Sequence, residues 1–267
     1  MENSPLSAHH FIFCMNVEKP RILLTNDDGI HSEGIIALEK TLRAVGDVFV
    51  VAPVSEMSGA SHSLTLSRPL RIRQIDERHW TVDGTPTDCV TLALNRILPP
   101  ELRPHLCASG INHGENLGDD ATYSGTVAGA LESTILGVPG LAFSLVAGRS
   151  YDFTESAKIA EQLVTKAIKN GLPKDTLLNI NVPKGKPKGI RVTKQGFKNA
   201  RPVISEHRDP RGKLYYWIGE ERNGFHAEGG GTDFEAVDKG YVSVTPMRSD
   251  LTNHPAIKIL KDWNNKF

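Results

Sequence analysis

Runs of consecutive apolar residues, each closed by small polar residues or proline, recur along the first part of the chain. Residues 22–25 are apolar or β-branched with no alternation, which predicts a strand buried on both faces. Asn26, Asp27 and Asp28 follow at once, and Gly29 frees the backbone for a tight turn. From Ser32 onward, Ile35, Ile36, Leu42 and Val45 fall on one face of an amphipathic helix. Residues 47–53 form a second buried strand stopped by Pro53. Strand, helix and strand at this spacing make a βαβ unit with parallel strands.

The pattern then loosens. Residues 54–61 are small and polar; alternating apolar positions at Leu64, Leu66, Leu70 and Ile72, followed by residues 79–82, predict a hairpin excursion. Thr85, Pro86 and Asp88 supply a helix cap, a proline at the first helical position and an acid three residues after the cap. Val90, Ala93, Leu94 and Ile97 carry that helix's apolar face up to Pro99. Residues 105–110 predict a third buried strand, opening into a glycine-spaced polar loop over 111–120. Ser124 caps the next helix, which Gly137 and Pro139 end. A strand over 140–146 follows, then a helix with Ala157, Ala160, Leu163, Ala167 and Ile168 inward.

In the second half, residues 176–183, 189–193 and 240–246 predict strands, and residues 213–218 one arm of a projecting hairpin. Gly229, Gly230 and Gly231 give a flexible approach to Thr232 and Asp233, and a short helix begins after Leu251. Residues 1–20 hold only a short apolar patch at 11–15 with no basic lead, which predicts a disordered extension rather than a secretory signal. The chain therefore divides into that extension, an α/β core over 21–195 with a mainly parallel sheet, and a hairpin with a tail over 196–267.

Composition removes whole classes of function. Lys+Arg 31 balances Asp+Glu 31, so there is no electrostatic footprint for a nucleic-acid duplex, and an anionic ligand must be attracted locally. No apolar run reaches the length of a membrane span. Cys14, Cys89 and Cys107, odd in number and widely spaced, fit a reducing, cytoplasmic setting rather than a disulfide framework or a Cys-based zinc site. The ten histidines form no HExxH or HxxxH pair.

The candidate chemistry begins at Asp27 and Asp28. Two adjacent carboxylates repel unless a cation or hydrogen-bond donors lie between them. The C-terminal end of the first strand of an open α/β sheet is where ligands bind; a helix cap beside a solvated turn is the plainer alternative. Ser58 and Asn112 also lie just past predicted parallel strands, although each has a local reading as a turn-stabilising residue. Carboxylates, hydroxyl and amide are hard ligands suited to magnesium, manganese or calcium. The helix start at Ser124, Gly125 and Thr126 offers free N–H groups to an anion, and a side chain at Gly125 is expected to obstruct that anion while leaving the metal end untouched. A hard cation beside a helix N-terminus is, in physical terms, a phosphate site.

The motifs Arg21-Ile-Leu-Leu-Thr-Asn-Asp-Asp-Gly-Ile30, Val50-Val-Ala-Pro53 with Ser58-Gly-Ala-Ser61, Gly84-Thr-Pro-Thr-Asp-Cys-Val90, Ser109-Gly-Ile-Asn-His-Gly-Glu-Asn-Leu-Gly-Asp119 and Tyr123-Ser-Gly-Thr-Val-Ala128 resemble the SurE family of stationary-phase survival proteins. So do Leu178-Asn-Ile-Asn-Val-Pro183, Gly231-Thr-Asp-Phe-Glu-Ala236 and Val242-Ser-Val-Thr-Pro246. The resemblance implies a Rossmann-like three-layer core and a metal-dependent phosphatase acting on nucleoside monophosphates, a 5′-nucleotidase some of whose relatives also trim short polyphosphate. It implies a divalent cation, Mg2+ or Mn2+ with Ca2+ as a substitute, on Asp27, Asp28, Ser58 and Asn112. Asn116, Ser124, Gly125 and Thr126, with Ser61 nearby, would surround the phosphate, and Asp27, Asp28 and Asn116 would carry the chemistry. It also implies a homodimer or homotetramer built through the hairpin and an exchanged tail.

His62, His113 and Asp233 stand near enough in sequence to be considered as a general acid, although a metal-bound water needs no histidine base. Asp233 has a second reading, ordering the glycine segment before it. Three rivals remain. A dinucleotide-dependent oxidoreductase would show G-x-G-x-x-G where this chain has Asn-Asp-Asp-Gly. A phosphoaspartyl phosphatase would use Asp27 as nucleophile, and a non-catalytic nucleotide-binding module would bind without turnover.

Overall fold

The computed structural model describes residues 19–148, 151–197, 202–220, 230–261 and 263, so most of the N-terminal extension and residues 221–229, with the first glycine of the Gly229–Gly231 segment, lie outside it. The strand β1 (Arg21–Thr25) pairs in parallel with β2 (Asp47–Pro53) on one side and with β5 (Leu106–His113) on the other. Outward from β2 come β4 (His79–Val82), parallel to it, and β3 (Ile72–Gln74), antiparallel at the edge. Outward from β5 come β6 (Gly140–Leu145) and β7 (Leu177–Val182), both parallel; then β11 (Val242–Met247), antiparallel to β7, and β8 (Ile190–Val192). The sheet thus runs β3-β4-β2-β1-β5-β6-β7-β11-β8. The strand order reverses between β1 and β5, and the crevice of an open α/β sheet opens at such a point.

Side chains of a buried strand alternate between the two faces, and the core divides accordingly. Ile22, Leu24, Val48, Val50, Leu106 and Ala108 pack on the face covered by α1 (Glu33–Leu42) and α4 (Thr154–Asn170). Leu23, Phe49, Val51 and Cys107 pack on the opposite face against α2 (Pro86–Leu92). Beside α2 lies α3 (Gly125–Ile135), packed on β5, β6 and β7. A side chain at Gly129 would meet Thr25 Cγ2 at 2.7 Å and Ser109 Oγ at 3.0 Å, so the missing Cβ sets that approach. The helix α2 starts where expected: Asp88 N–H donates to Thr85 Oγ1, and the Asp88 carboxylate accepts from Thr85 N–H, a complete capping box.

Several sequence expectations change. Ile36 is 52% exposed and Leu38 takes its place in the core, so the buried face of α1 is rotated from the expected one. Leu64 and Leu66 are exposed on a long loop, and only β3 and β4 form the hairpin. The strand β5 continues through Asn112 and His113, with a register shift between Ser109 and Asn112, where a polar loop was expected. A helix α5 (Asp233–Asp238), capped by Thr232, occupies a stretch with no expected helix. The hairpin of β9 (Pro202–Arg208) and β10 (Leu214–Glu220) forms a separate two-stranded sheet, and α6 (His254–Leu260) follows β11.

Candidate active site

The C-terminal ends of β1, β2 and β5 and the N-terminus of α3 converge on a cleft of about 360 Å³. Asp27, Ser58, Asn112, His113, Glu115, Asn116, Asp120, Tyr123 and Ser124 line it. These are mostly oxygens of several kinds, and no lysine or arginine is among the described lining residues. Asn26 shapes the approach: its Nδ2 donates to Gly29 O at 2.9 Å and to Ser32 Oγ at 2.8 Å, which clamps the turn after β1. Ile30 N–H donates to Pro53 O at 3.0 Å and Met57 N–H to Asp27 O at 2.7 Å, tying the loop that carries Ser58 to the β1 turn.

Asp27 is nearly fully buried and accepts the Thr126 hydroxyl proton on Oδ1. Burial pushes its carboxyl up to about 6; the Thr126 hydroxyl opposes that shift and the adjacent Asp28 charge adds to it. The N-terminus of α3 lies directly against it, since a Cβ on Gly125 would meet Asp27 Cβ at 2.7 Å and Oδ2 at 2.9 Å. The expectation that Gly125 touches only the anion end is thereby corrected: one glycine separates the helix start from the carboxylate. Ser124 caps α3 by accepting from Val127 N–H at 3.1 Å.

Asp28 Oδ2 accepts from His113 Nδ1–H at 3.0 Å and from His113 backbone N–H at 3.4 Å. Asn112 Nδ2 donates to Gly114 O at 2.9 Å, which leaves the amide oxygen as the group able to face a cation. Ser58 lines the cleft from an exposed loop, its hydroxyl donating to Glu56 Oε1 at 2.8 Å. Two carboxylates, one hydroxyl and one amide oxygen are a hard-oxygen set that fits Mg2+ or Mn2+. Among the described residues no three His, Cys, Asp or Glu side chains converge to hold a metal ion, so a cation here would depend on Ser58 and Asn112 besides the two aspartates.

Asn116 is fixed more firmly than its place in a loop suggests. Its Nδ2 donates to Ser144 Oγ at 2.8 Å and its N–H to Asn181 Oδ1 at 2.8 Å; its carbonyl accepts from Asn179 Nδ2 at 2.8 Å and Asn181 Nδ2 at 3.2 Å. Sequence reasoning missed Asn179 and Asn181 as supports of the site. Their signal is two amides at alternate positions of an otherwise apolar strand, a spacing that puts both on one face.

Asp28, Gly125 and Thr126 are not among the lining residues but abut ones that are, Asp28 against His113 and the other two against Asp27; three further residues fall elsewhere. Ser61 lies outside the lining of the cleft: its hydroxyl donates to Thr122 O at 2.7 Å and it borders a neighbouring apolar chamber. His62 borders the same chamber, and its Nε2 pairs with Glu132 Oε2 at 2.8 Å. Asp233 is fully buried and accepts from Gly118, Gly196 and Phe234 N–H groups at 2.8–2.9 Å, so it orders loops and does not face the cleft.

The family model described as "Survival protein SurE" matches residues 22–202. The chain belongs to the SurE family. The 5′-nucleotidase SurE of Pelobacter propionicus is 48% identical over 246 residues, covering 91% of this chain and 98% of the relative. That of Aquifex aeolicus is 49% identical over 246 residues, covering 91% and 97%. A crystal structure of the Aquifex aeolicus SurE protein matches the fold with a TM-score of 0.82 at 48% identity, over 92% of this chain and all of that one. The mixed α/β architecture with its mostly parallel sheet is therefore that of SurE proteins. Among the described residues no helix is long and apolar enough to cross a membrane.

Proposed function

We propose that this SurE-family chain is a phosphomonoesterase that releases phosphate from nucleoside monophosphates with one divalent cation bound at the rim of the sheet. One observation carries the reading. A cleft lined by Asp27 and Glu115, with no lysine or arginine among its described lining residues, opens at the N-terminus of α3. An acidic cleft repels a phosphate dianion unless a cation compensates, whereas free N–H groups at a helix start attract one. Relatives nearly half identical to this chain carry the name 5′-nucleotidase, which supports hydrolysis of nucleotide phosphate esters.

Asp27, Asp28, Ser58 and Asn112 would hold Mg2+ or Mn2+. When bound, such a cation polarises a phosphoryl oxygen and lowers the pKa of a coordinated water. The residues of the chain supply position. Gly125 offers its N–H at the helix start, while the Thr126 N–H turns to the Asp27 carboxylate; the absence of a side chain at Gly125 lets that start approach Asp27 closely. Thr126 holds one oxygen of Asp27 and so orients the carboxylate. Asn116, locked by Ser144, Asn179 and Asn181, presents a rigid amide at the cleft wall. Pre-set donors cost little reorganisation when charge develops on the phosphate.

The test is phosphate release from 5′- and 3′-nucleotides and short polyphosphate with Mg2+ or Mn2+, repeated with chelator. Release that needs the cation supports the reading. Release indifferent to chelator, or an acid-stable phosphoenzyme trapped on Asp27, would overturn it. The same reading includes a homo-oligomer built through the β9–β10 hairpin, on which Tyr216, Trp217 and Ile218 stand 56–79% exposed; an isolated hairpin of this kind is marginal in water without a partner surface.

A further inference from the structure

The two adjacent carboxylates are held by different partners. Asp27 is gripped by Thr126 from α3, while Asp28 meets His113 at the end of β5. His113 reaches Asp28 twice, through its ring Nδ1–H at 3.0 Å and its backbone N–H at 3.4 Å, both onto Oδ2. Asp28 Oδ1 takes no hydrogen bond among the described residues. The His113 ring is itself confined. The Tyr151 ring lies edge-on at 4.8 Å between centroids and the Phe153 ring edge-on at 4.9 Å, with those two rings stacked on each other at 6.0 Å. Phe153 is buried in the α1–α4 side of the core, so the chain of contacts from the core to Asp28 is rigid.

We infer that His113 is a positioning residue: boxed by Tyr151 and Phe153, it fixes the Asp28 carboxylate so that one oxygen is presented to the divalent cation. The inference rests on the functional reading above. The strand's register shift between Ser109 and Asn112 is what makes the arrangement possible, because it brings Asn112 and His113, consecutive residues, to the same rim. A bulge re-aims side chains in this way. Outer partners of metal-binding carboxylates orient them, and their loss typically weakens metal affinity by roughly 10–100-fold. A general acid would be a different role for the same ring, one that would use Nε2, since Nδ1 is committed to the Asp28 carboxylate.

The experiment titrates Mn2+ into chelator-treated full-length protein by calorimetry, for the parent, His113→Ala and His113→Asn. The asparagine Nδ2 occupies nearly the place of the imidazole Nδ1 and can still donate to Asp28. The dissociation constant should rise about tenfold or more in His113→Ala and stay within about threefold of the parent in His113→Asn. Melting temperatures in chelator identify any variant that fails to fold. At saturating Mn2+, turnover of a nucleotide and of p-nitrophenyl phosphate should fall by the same factor in His113→Ala, since a positioning residue is indifferent to the leaving group. Unchanged Mn2+ affinity in His113→Ala would overturn the inference. So would equal weakening in both variants, which would mean ring packing alone, or a loss confined to the nucleotide, which would mean a general acid. A parent that binds no Mn2+ would overturn the functional reading and this inference with it; a parent that binds, with variants that bind equally well, would overturn the inference alone.

Discussion

Asp27 places a charge where the fold least tolerates one, and replacing it separates stability from activity. Burial raises its carboxyl from 3.8 to about 6 in the metal-free protein. Between those two values the native state keeps a proton that the unfolded chain has already released. Stability contributed through this group therefore falls as pH rises across that window, and levels off above about pH 6. A raised value for an acid is a penalty at neutral pH. At about 1.4 kcal/mol per pKa unit, the penalty is about 3 kcal/mol at most. Asp27→Asn keeps an oxygen to accept from the Thr126 hydroxyl and removes the charge. In chelator at pH 7 the variant should be more stable than the parent by about 2–3 kcal/mol, a rise of several degrees in melting temperature for a domain of this size.

The assay is thermal unfolding of both proteins in chelator from pH 4 to pH 8, paired with phosphate release in Mn2+. The gain should be full at pH 7 and nearly absent at pH 4, where the parent's Asp27 is already protonated. Added Mn2+ should stabilise the parent more than the variant, because a ligand that binds only the native state stabilises it. Turnover should fall at least about a hundredfold, the scale of an electrostatic term worth several kcal/mol. A variant less stable than the parent at pH 7 in chelator, or a stability difference independent of pH, would refute the reasoning about the buried charge. Near-parental turnover would remove Asp27 from the site.

Gly125→Val should raise the Michaelis constant and weaken Mn2+ binding together, because its Cβ meets Asp27 at 2.7 Å; a change in the Michaelis constant alone, measured beside calorimetry, would show that the helix start and the carboxylate are uncoupled. Glu132→Ala leaves His62 Nε2 and the Thr91 hydroxyl without their acceptor and should cost about 1–3 kcal/mol in urea unfolding at pH 7. His62 holds that carboxyl below its ordinary 4.5, so its contribution is present above that pH and lost as pH falls, and the gap between parent and variant should close in acid. Deleting residues 200–228 should weaken or abolish self-association in light scattering, and an assembly indifferent to the deletion would remove the hairpin from the interface.

The parts of this protein that could be read from the chain are those whose physics is local. Residues 22–24 and 48–53 are continuous apolar runs because a parallel strand covered on both faces has no solvent side, and the runs stand in the order the sheet uses. The caps of α2 and α3 are hydrogen bonds spanning three residues, so Thr85 with Asp88 and Ser124 with Val127 announce themselves. Asp27 and Asp28 were legible as well, because adjacent like charges past a buried strand are costly without compensation. What the chain did not announce depends on partners far away in sequence. Asn179 and Asn181 are buried amides that bond through Asn179 Nδ2 and both ends of Asn181 to Asn116, over 60 residues earlier, so nothing near them in sequence marks that partner. Asn112 and His113 continue β5 despite being polar, because the rim of the sheet gives them Gly114 and Asp28 to bond. Ile36 faces outward and Leu38 inward because the direction from which β5 meets α1 is set by Gly34, where a Cβ would strike the Ile111 carbonyl oxygen at 1.9 Å. Helical periodicity defines which residues share a face; only the packing of α1 on the sheet decides which face is buried.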